Sequence, residues 1–321
     1  MTPHPTPIGQ RTRLVRALPS RRRRLALAAL LMPLSMTAAA CEGGLTDSPA
    51  TTPPPTTEIV VIEGRPLRRR NGRLHRARSR RGHSHLTDRQ ALWLASTVRE
   101  ALADHWRNQG ELEHASVIAF DDLAHRLALV DAPDELLRRC LQAATQEADH
   151  ADRCFELAGR YMGVSLRPGH LRRPHRRLRS RNRELAQLAV EALRDGVLNE
   201  GYAAWLAAAK ATRATDARVQ ETLWVIARDE AGHARLSSDV LTWCLAEGDE
   251  SVAAAVLEAA STLPVRMSGA VVPAGLDTRA LADHGLLDAD PDGEGYAEVL
   301  ARTLADLAPL TETPERERAA A

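Results

Sequence analysis

Each of four long segments with helical apolar spacing carries a glutamate inside its apolar face. Side chains at positions i, i+3, i+4 and i+7 share one face of an α-helix. The apolar stripes traced at this spacing contain four glutamates, namely Glu113, Glu147, Glu200 and Glu230. His150 and His233 follow two of them by three residues and lie on the same stripes. A fold that buries the four stripes therefore brings four carboxylates and two imidazoles into its core.

This set of side chains predicts a two-metal carboxylate centre. Buried carboxylates repel one another, and each is costly to bury unless it is paired. Two divalent or trivalent cations remove that cost, and carboxylate oxygens with one imidazole per metal suit iron or manganese. Two iron ions are the expected cofactor, with manganese as the alternative. The predicted ligands are Glu113, Glu147, His150, Glu200, Glu230 and His233.

The same periodicity predicts an all-α fold. A capping-box pattern begins at Thr87, and Gly110 is expected to bend or break the helical run that follows it. Further helices are predicted at about 134–162, 184–212 and 217–247, with weaker ones near 250–261 and 295–309. Short links within two helix pairs and a long crossover over 163–183 are typical of a ferritin-like four-helix bundle. The predicted bundle spans 87–262, and 263–321 form a C-terminal extension with short helices.

A single Glu-x-x-His motif is weak support for a metal site. A third copy begins at Glu111 and ends at His114, but Glu111 lies on nearly the opposite face of the helix from Glu113. An isolated copy is usually a solvated acid beside a surface histidine. The metal interpretation depends instead on two copies on apolar stripes, each with an upstream glutamate, while the alternative is a degenerate bundle with partly exposed acids. His114 is either a residue that orients a ligand or a packing residue.

Several stretches of the sequence resemble bacterial ferritin-like domain proteins. They are Glu113-His114-Ala115-Ser116, EADHADRCFELAGRY at 147–161, Glu200, and DEAGHAR at 229–235. The resemblance covers about 90–262 and implies that Glu147 and Glu230 bridge two metals. It also implies terminal ligation by Glu113 and Glu200 and one histidine, His150 or His233, on each metal. The chain lacks the CxxC pair of rubrerythrins, so a second iron site of that kind is not expected.

The N-terminal 40 residues have the pattern of an export signal. Four arginines, Arg21–Arg24, precede a short apolar stretch over 25–40 that ends in small residues. Ala38-Ala39-Ala40-Cys41 resembles a bacterial lipobox, which implies lipidation of Cys41 and a lipoprotein anchored to a membrane surface of the envelope. Ordinary cleavage, giving a secreted or periplasmic protein, is the first alternative, and an uncleaved cytoplasmic protein is the second.

Residues 41–86 are predicted to be a disordered linker rich in proline and arginine. The stretch TTPPPTT at 51–57 cannot form a helix or a central strand. Nine arginines and no acidic residue lie between Arg65 and Arg81. Such a stretch is either attracted to an anionic membrane surface or is a solvated spacer, and the spacer is favoured.

These features lead to one enzymatic and two other functional hypotheses. The leading hypothesis is a non-haem di-iron oxidase or ferroxidase that uses O₂. The alternatives are a non-catalytic metal-binding or structural surface lipoprotein, and an interaction lipoprotein with a relict site. A net charge of +1 and the expected export argue against a nucleic-acid partner. The helices after residue 250 are expected either to cover the bundle or to form a homodimer interface.

Overall fold

The computed structural model describes residues 65–68, 74, 78–85, 91, 93–171, 179–267 and 272–310. Within these ranges the protein is all-α, with one short pair of strands. The predicted signal sequence with Cys41, and the capping box at Thr87, lie outside the described residues. None of the described helices is both long and apolar enough to cross a membrane.

Long helices dominate the described chain. The helices are α1 (Ser96–Leu129), α2 (Asp134–Met162), α3 (Arg181–Glu191), α4 (Asn199–Arg213), α5 (Ala217–Glu247), α6 (Glu250–Ser261), α7 (Thr278–Asp283) and α8 (Glu294–Leu307). The bounds of α2, α5 and α6 agree with the predicted helices at 134–162, 217–247 and 250–261. A left-handed glycine, Gly163, ends α2, and the Asp216 carboxylate caps the first backbone N–H groups of α5.

The expected break at Gly110 is wrong, because α1 continues through it without interruption. A Cβ atom at position 110 would lie 2.9 Å from two ring carbons of Phe155 on α2. The glycine therefore permits α1 and α2 to approach closely. This close packing holds the backbone at Gly110 in the helical conformation, although glycine is flexible.

The helix predicted at 184–212 is divided in the structure. α3 is followed by a π-helical segment, Ala192–Leu198, and then by α4, which begins one residue before Glu200. A π-helical turn holds more residues than an α-helical turn, so the face presented after it is rotated relative to a continuous helix. Periodicity alone does not reveal such an insertion.

The helices form two packed pairs. α1 packs against α2, and α4 packs against α5, while contacts between α2 and α5 join the pairs. One apolar cluster contains Phe120 and Val240, and a second contains Trp106 and Leu223. Along each chain segment that carries a candidate ligand, the glutamate lies between residues of the first cluster and residues of the second.

Parts of the predicted linker pack on the helices. β1 (Ser79–His85) pairs antiparallel with β2 (Val164–Pro168), which lies within the predicted crossover. Arg65 and Leu67 are both buried. These pieces of the 41–86 segment are therefore ordered rather than extended in solvent, because buried side chains and strand pairing with β2 hold them.

The C-terminal extension packs against the helix pairs. α8 contacts α4, and α7 contacts α1 and α4. The Tyr202 hydroxyl on α4 donates to Asp290 Oδ2 at 2.9 Å, and Trp106 Nε1 on α1 donates to the His284 carbonyl at 3.1 Å. α7, which lies within the extension, has no counterpart among the predicted helices. The extension therefore covers the outside of the helix pairs, which was one of the two roles expected for it.

Candidate metal centre

All six predicted ligands are buried and lie together. Their exposed fractions are 0–2%. They form two groups of four in which one ligand atom from each residue lies within 4.8 Å of the others: Glu113, Glu147, His150 and Glu230, and Glu147, Glu200, Glu230 and His233. Glu147 and Glu230 belong to both groups. Each group could hold a metal ion, and the two groups share two carboxylates.

The two imidazoles face the carboxylates through the same ring nitrogen. His150 Nδ1 lies 3.7 Å from one oxygen each of Glu113, Glu147 and Glu230. His233 Nδ1 lies 3.2 Å from Glu147 Oε1 and 3.6 Å from Glu230 Oε1. Each shared glutamate therefore lies near both imidazoles.

The donor atoms at this place have no hydrogen-bond partners in the protein. The unsatisfied atoms are Glu113 Oε2, both carboxylate oxygens of Glu147 and of Glu230, Glu200 Oε1, and the Nδ1 atoms of His150 and His233. Folded proteins leave few buried polar atoms unsatisfied, and each one is costly. Eight convergent lone-pair atoms without partners fit bound cations, which would satisfy all of them together.

A hydrogen bond at Nε2 fixes the orientation of each imidazole. His150 Nε2 lies 3.3 Å from Asp229 Oδ2, and His233 Nε2 lies 3.1 Å from Gln146 Oε1. Both partners are acceptors, so each neutral imidazole carries its proton on Nε2 and presents a lone pair at Nδ1. The partners cross between helices, because Gln146 on α2 serves the histidine of α5 and Asp229 on α5 serves that of α2.

The sequence prediction missed these orienting residues. Gln146 and Asp229 each stand immediately before the glutamate of a Glu-x-x-His motif, and this shared position in the repeat is a signal that could have identified them. His114, the residue considered for this role, is half-buried and lies near the backbone of Gly169 instead. Glu111 of the third motif accepts hydrogen bonds from the backbone N–H and the hydroxyl of Ser79, so it anchors β1 outside the centre.

The electrostatics of the metal-free centre favour bound protons. Burial raises the pKa of Glu113 and Glu200 well above the usual range, and it also raises the pKa of Glu230. Burial acts in the same direction on Glu147, but contacts with His150 and His233 outweigh it and lower the pKa of this carboxyl. Burial lowers the pKa of both imidazoles, yet the surrounding carboxylates raise it well above its ordinary value. Protons thus neutralise the cluster when no cation does, and metal binding is expected to displace them.

A cleft of about 580 Å³ lies beside the centre, between α4, α5 and α8. Its walls include small residues, the indoles of Trp205 and Trp224, and the side chains of Arg228 and Arg302. Gly201, which lines the cleft, is the chain neighbour of Glu200. None of the six candidate ligands lines the cleft, so it approaches the centre without opening onto it.

No family model matches the sequence, and searches of curated proteins and of solved structures give no match either. The function is therefore inferred from the donor set itself, which is four carboxylates and two imidazoles on four helices.

Proposed function

We propose that the chain is a ferritin-like four-helix bundle with a carboxylate-bridged di-iron centre, and that it acts as an O₂-dependent oxidase or ferroxidase. The observation that carries this proposal is the pair of four-residue ligand groups that share Glu147 and Glu230. Ferritin-like carboxylate proteins use one glutamate from each of two helices and a Glu-x-x-His motif from each of two others. The four helical segments here supply that same combination.

The donor atoms support iron, with manganese as the alternative. Hard carboxylate oxygens with one nitrogen donor per metal suit these ions, whereas thiolate ligands would favour softer ones. In the proposed assignment Glu147 and Glu230 would hold both metals. Glu113 and His150 complete one position, and Glu200 and His233 complete the other. Three free cysteines, Cys140, Cys154 and Cys244, are buried but belong to neither group.

The proposed reaction couples the oxidation of ferrous iron or of an organic substrate to the reduction of O₂. A pair of iron ions held by these residues would supply the electron-transfer chemistry. The protein contributes a water-poor site, two oriented imidazoles and carboxylates that exchange protons for metal charge. The cleft beside α4 and α5 is the place from which an apolar organic substrate would approach.

The alternative is a non-catalytic metal-binding or structural protein. The observation that favours it is the complete burial of the six ligands together with a cleft that none of them lines. A sealed centre stabilises the fold without turning over a substrate. Under either function, export and lipidation at Cys41, with attachment to a membrane surface, remain predictions from the sequence.

Metal content and the spectrum in air test the proposal. The full-length chain should be purified without added metal, loaded with ferrous iron in the absence of oxygen, and then exposed to air. We expect about two irons per chain and a near-ultraviolet absorption band typical of paired ferric ions. Metal that binds tightly but gives no spectral change in air would favour the structural alternative. Absence of bound metal would contradict the oxidase and any metal-binding role, and it would leave a structural or interaction function.

A further inference from the structure

Arg65 places a buried positive charge next to the half of the centre that contains Glu200 and His233. Its residue is 4% exposed. The guanidinium Nη1 donates to Ser237 Oγ at 3.3 Å, and the same hydroxyl donates to Glu200 Oε2 at 3.3 Å. Two hydrogen bonds thus connect Arg65 to a proposed metal ligand. Arg65 comes from the segment that the sequence analysis assigned to a solvated linker.

The surroundings of Arg65 are built to accept its side chain. The guanidinium carbon lies 5.4 Å from the centre of the Phe120 ring, within the range of a cation–π contact. A Cβ atom at Gly196 would lie 3.2 Å from Nη1, so the glycine leaves the space that the side chain fills. Ser116 Oγ on α1 donates to the Arg65 carbonyl at 2.8 Å and holds the backbone as well.

The neighbouring residues hold this short segment, which we call the strap (residues 65–68), against the helices. Leu67 packs with Ala115 and Ala119 of α1. Arg68 forms an ion pair with Asp195 in the π-helical segment, with Nη2 and Oδ1 2.8 Å apart. The strap therefore joins both helix pairs next to Glu200, and Arg65 is its most deeply inserted charge.

Among the described residues, the half of the centre that contains Glu113 and His150 has no equivalent cation. In the part of the chain that the structure describes, Glu113 forms no hydrogen bond or ion pair with a lysine or arginine; its neighbours are Glu147, His150 and Glu230. Burial raises the pKa of Glu200, and among the influences that oppose burial there the charge of Arg65 is the largest. The two metal positions, alike in their ligands, therefore differ in the charge beside them.

We propose that Arg65 is a positioning residue that makes the Glu200 half of the centre favour a divalent ion over a trivalent one. The proposal rests on the proposed metal centre. Coulomb repulsion from a fixed positive charge grows with the charge of the bound ion, and it is weakly screened in a buried site. The Glu113 half lacks this repulsion, so the two halves differ in the oxidation state that they stabilise.

Binding of two redox-inert or air-stable probe ions tests this inference. The full-length chain and its Arg65→Met variant would be titrated separately with Mn²⁺ and with Ga³⁺, and the dissociation constants of both sites determined. Arg65→Met removes the charge but keeps an apolar stem. We expect it to raise the affinity for Ga³⁺ relative to Mn²⁺ by roughly tenfold at one site, as a unit charge several ångströms away would. The second site should change little.

Two further variants separate charge from packing. Arg65→Lys keeps the charge and should retain the wild-type ratio of affinities. Arg65→Gln removes the charge but keeps a donor for Ser237, and it should change the ratio of affinities as Arg65→Met does. If the methionine variant does not fold, the glutamine variant takes its place in the test. Arg68→Met is a matched control, because it removes the exposed anchor of the strap, whose side chain is 43% exposed, and leaves Arg65 in place. Its ratio should equal that of the wild type.

The outcomes distinguish this inference from the proposed function. Equal weakening of both ions by Arg65→Met, or an unchanged ratio with both neutral variants, would overturn the role of Arg65 and leave the metal centre standing. A wild-type chain that binds neither ion would overturn the metal centre and the role of Arg65 together. A changed ratio that Arg65→Lys restores is the result that supports the inference.

Discussion

At the scale of single residues, the two shared glutamates and the two terminal ones have different roles. Glu147 and Glu230 occur in both ligand groups, whereas Glu113 and Glu200 each occur in one. Both carboxylate oxygens of each shared glutamate also have no hydrogen-bond partner, while Ser237 satisfies one oxygen of Glu200. Removing a shared glutamate therefore takes donors from both metal positions.

This difference predicts unequal losses of metal. Glu147→Ala and Glu230→Ala are expected to abolish binding of both ions, whereas Glu113→Ala should lose about one of two. Glu111→Ala is the control, because Glu111 contacts Ser79 rather than the centre and should leave the metal content unchanged. Elemental analysis of the purified variants measures the outcome. Equal losses from Glu111→Ala and Glu147→Ala would contradict the ligand assignment.

The orienting partner of His233 gives a second test at this scale. Gln146→Leu keeps the size of the side chain but removes the acceptor for Nε2. Loss of such a partner typically lowers metal affinity about 10–100-fold, and here only the position that contains His233 should be affected. Gln146→Glu retains an acceptor and should retain affinity. Thr145→Val, at the exposed neighbouring position, should have no effect on a metal titration.

The sequence identified the six candidate ligands because each is an exception to an apolar stripe. Glu113, Glu147, Glu200 and Glu230 interrupt faces that are otherwise apolar, and a buried acid is recognisable by that contrast alone. Arg65 gave no such signal, because it stands among other arginines and its burial depends on a tertiary contact with Ser237. Hydrogen bonds between distant segments do not have a sequence period.

At the scale of elements, the π-helical segment positions Glu200 and makes room for the strap. Its residue Gly196 lies against Ser237 of α5, where a Cβ atom would come within 2.1 Å of Ser237 Oγ. The apolar periodicity predicts a single helix here, because a π-helical insertion changes the register without changing the composition. Long, regular helices such as α2 and α5 were predictable to within a residue or so, because nothing interrupts their pattern.

Gly196→Ala is predicted to destabilise the protein, although alanine usually favours a helix. The added methyl group would overlap the Ser237 side chain. The Ser237 hydroxyl would then lose its hydrogen bonds with Arg65 and Glu200. Overpacking of this kind costs about 1–3 kcal/mol. Gly232→Ala on α5 is the matched control, because only the end of Arg235, 3.8 Å away, is near its Cβ position. It should be neutral or stabilising by roughly 0.5–1 kcal/mol, as measured by denaturant unfolding.

At the scale of the whole molecule, charged contacts tie the C-terminal extension to the two helix pairs. Arg160 on α2 donates to both carboxylate oxygens of Asp216 at 2.8–2.9 Å, and Asp216 also caps α5. The backbone N–H of Asp216 donates to the Asp283 carbonyl at the end of α7. His284 Nδ1 lies 3.8 Å from Oδ2 of the Asp216 carboxylate. One carboxylate therefore joins α2, α5 and the extension.

This contact predicts a dependence of stability on pH. Burial raises the pKa of Asp216, but hydrogen bonds from Val219 and Arg160 outweigh it, so the pKa is lower in the folded protein. A lowered pKa gives stability that is present above the unfolded value of about 3.9 and is lost as pH falls through the folded value. Asp216→Asn should cost about 1–3 kcal/mol at pH 7. The difference from the wild type should shrink below about pH 4.

Chemical unfolding at several pH values measures this difference. Asp239→Asn is the control, because Asp239 pairs with Arg139 at an exposed position and should change stability little at any pH. A constant difference between Asp216→Asn and the wild type from pH 7 down to pH 3 would show that the carboxylate charge is not the cause.

At the candidate centre, polar groups of the two helix pairs meet in the interior, so metal binding is expected to stabilise the whole molecule. Glu113, Glu147 and His150 come from one pair, and Glu200, Glu230 and His233 from the other. A ligand that binds only the folded state, present at 100 times its dissociation constant, adds about 2.7 kcal/mol to the free energy of unfolding. Mn²⁺ should therefore raise the unfolding midpoint of the wild type, and a chelator should reverse the shift.

The variants make this prediction specific to the centre. Glu147→Gln and Glu230→Gln keep the size of the side chains but remove charge from both metal positions, so added Mn²⁺ should no longer stabilise the protein. Without metal, Glu230→Gln should be about as stable as the wild type, because burial raises the pKa of Glu230 and favours its neutral form. Glu147→Gln should be less stable, because His150 and His233 lower the pKa of Glu147 and the variant removes their charged partner. A Mn²⁺-dependent shift that persists in both variants would mean that the ion binds elsewhere on the molecule.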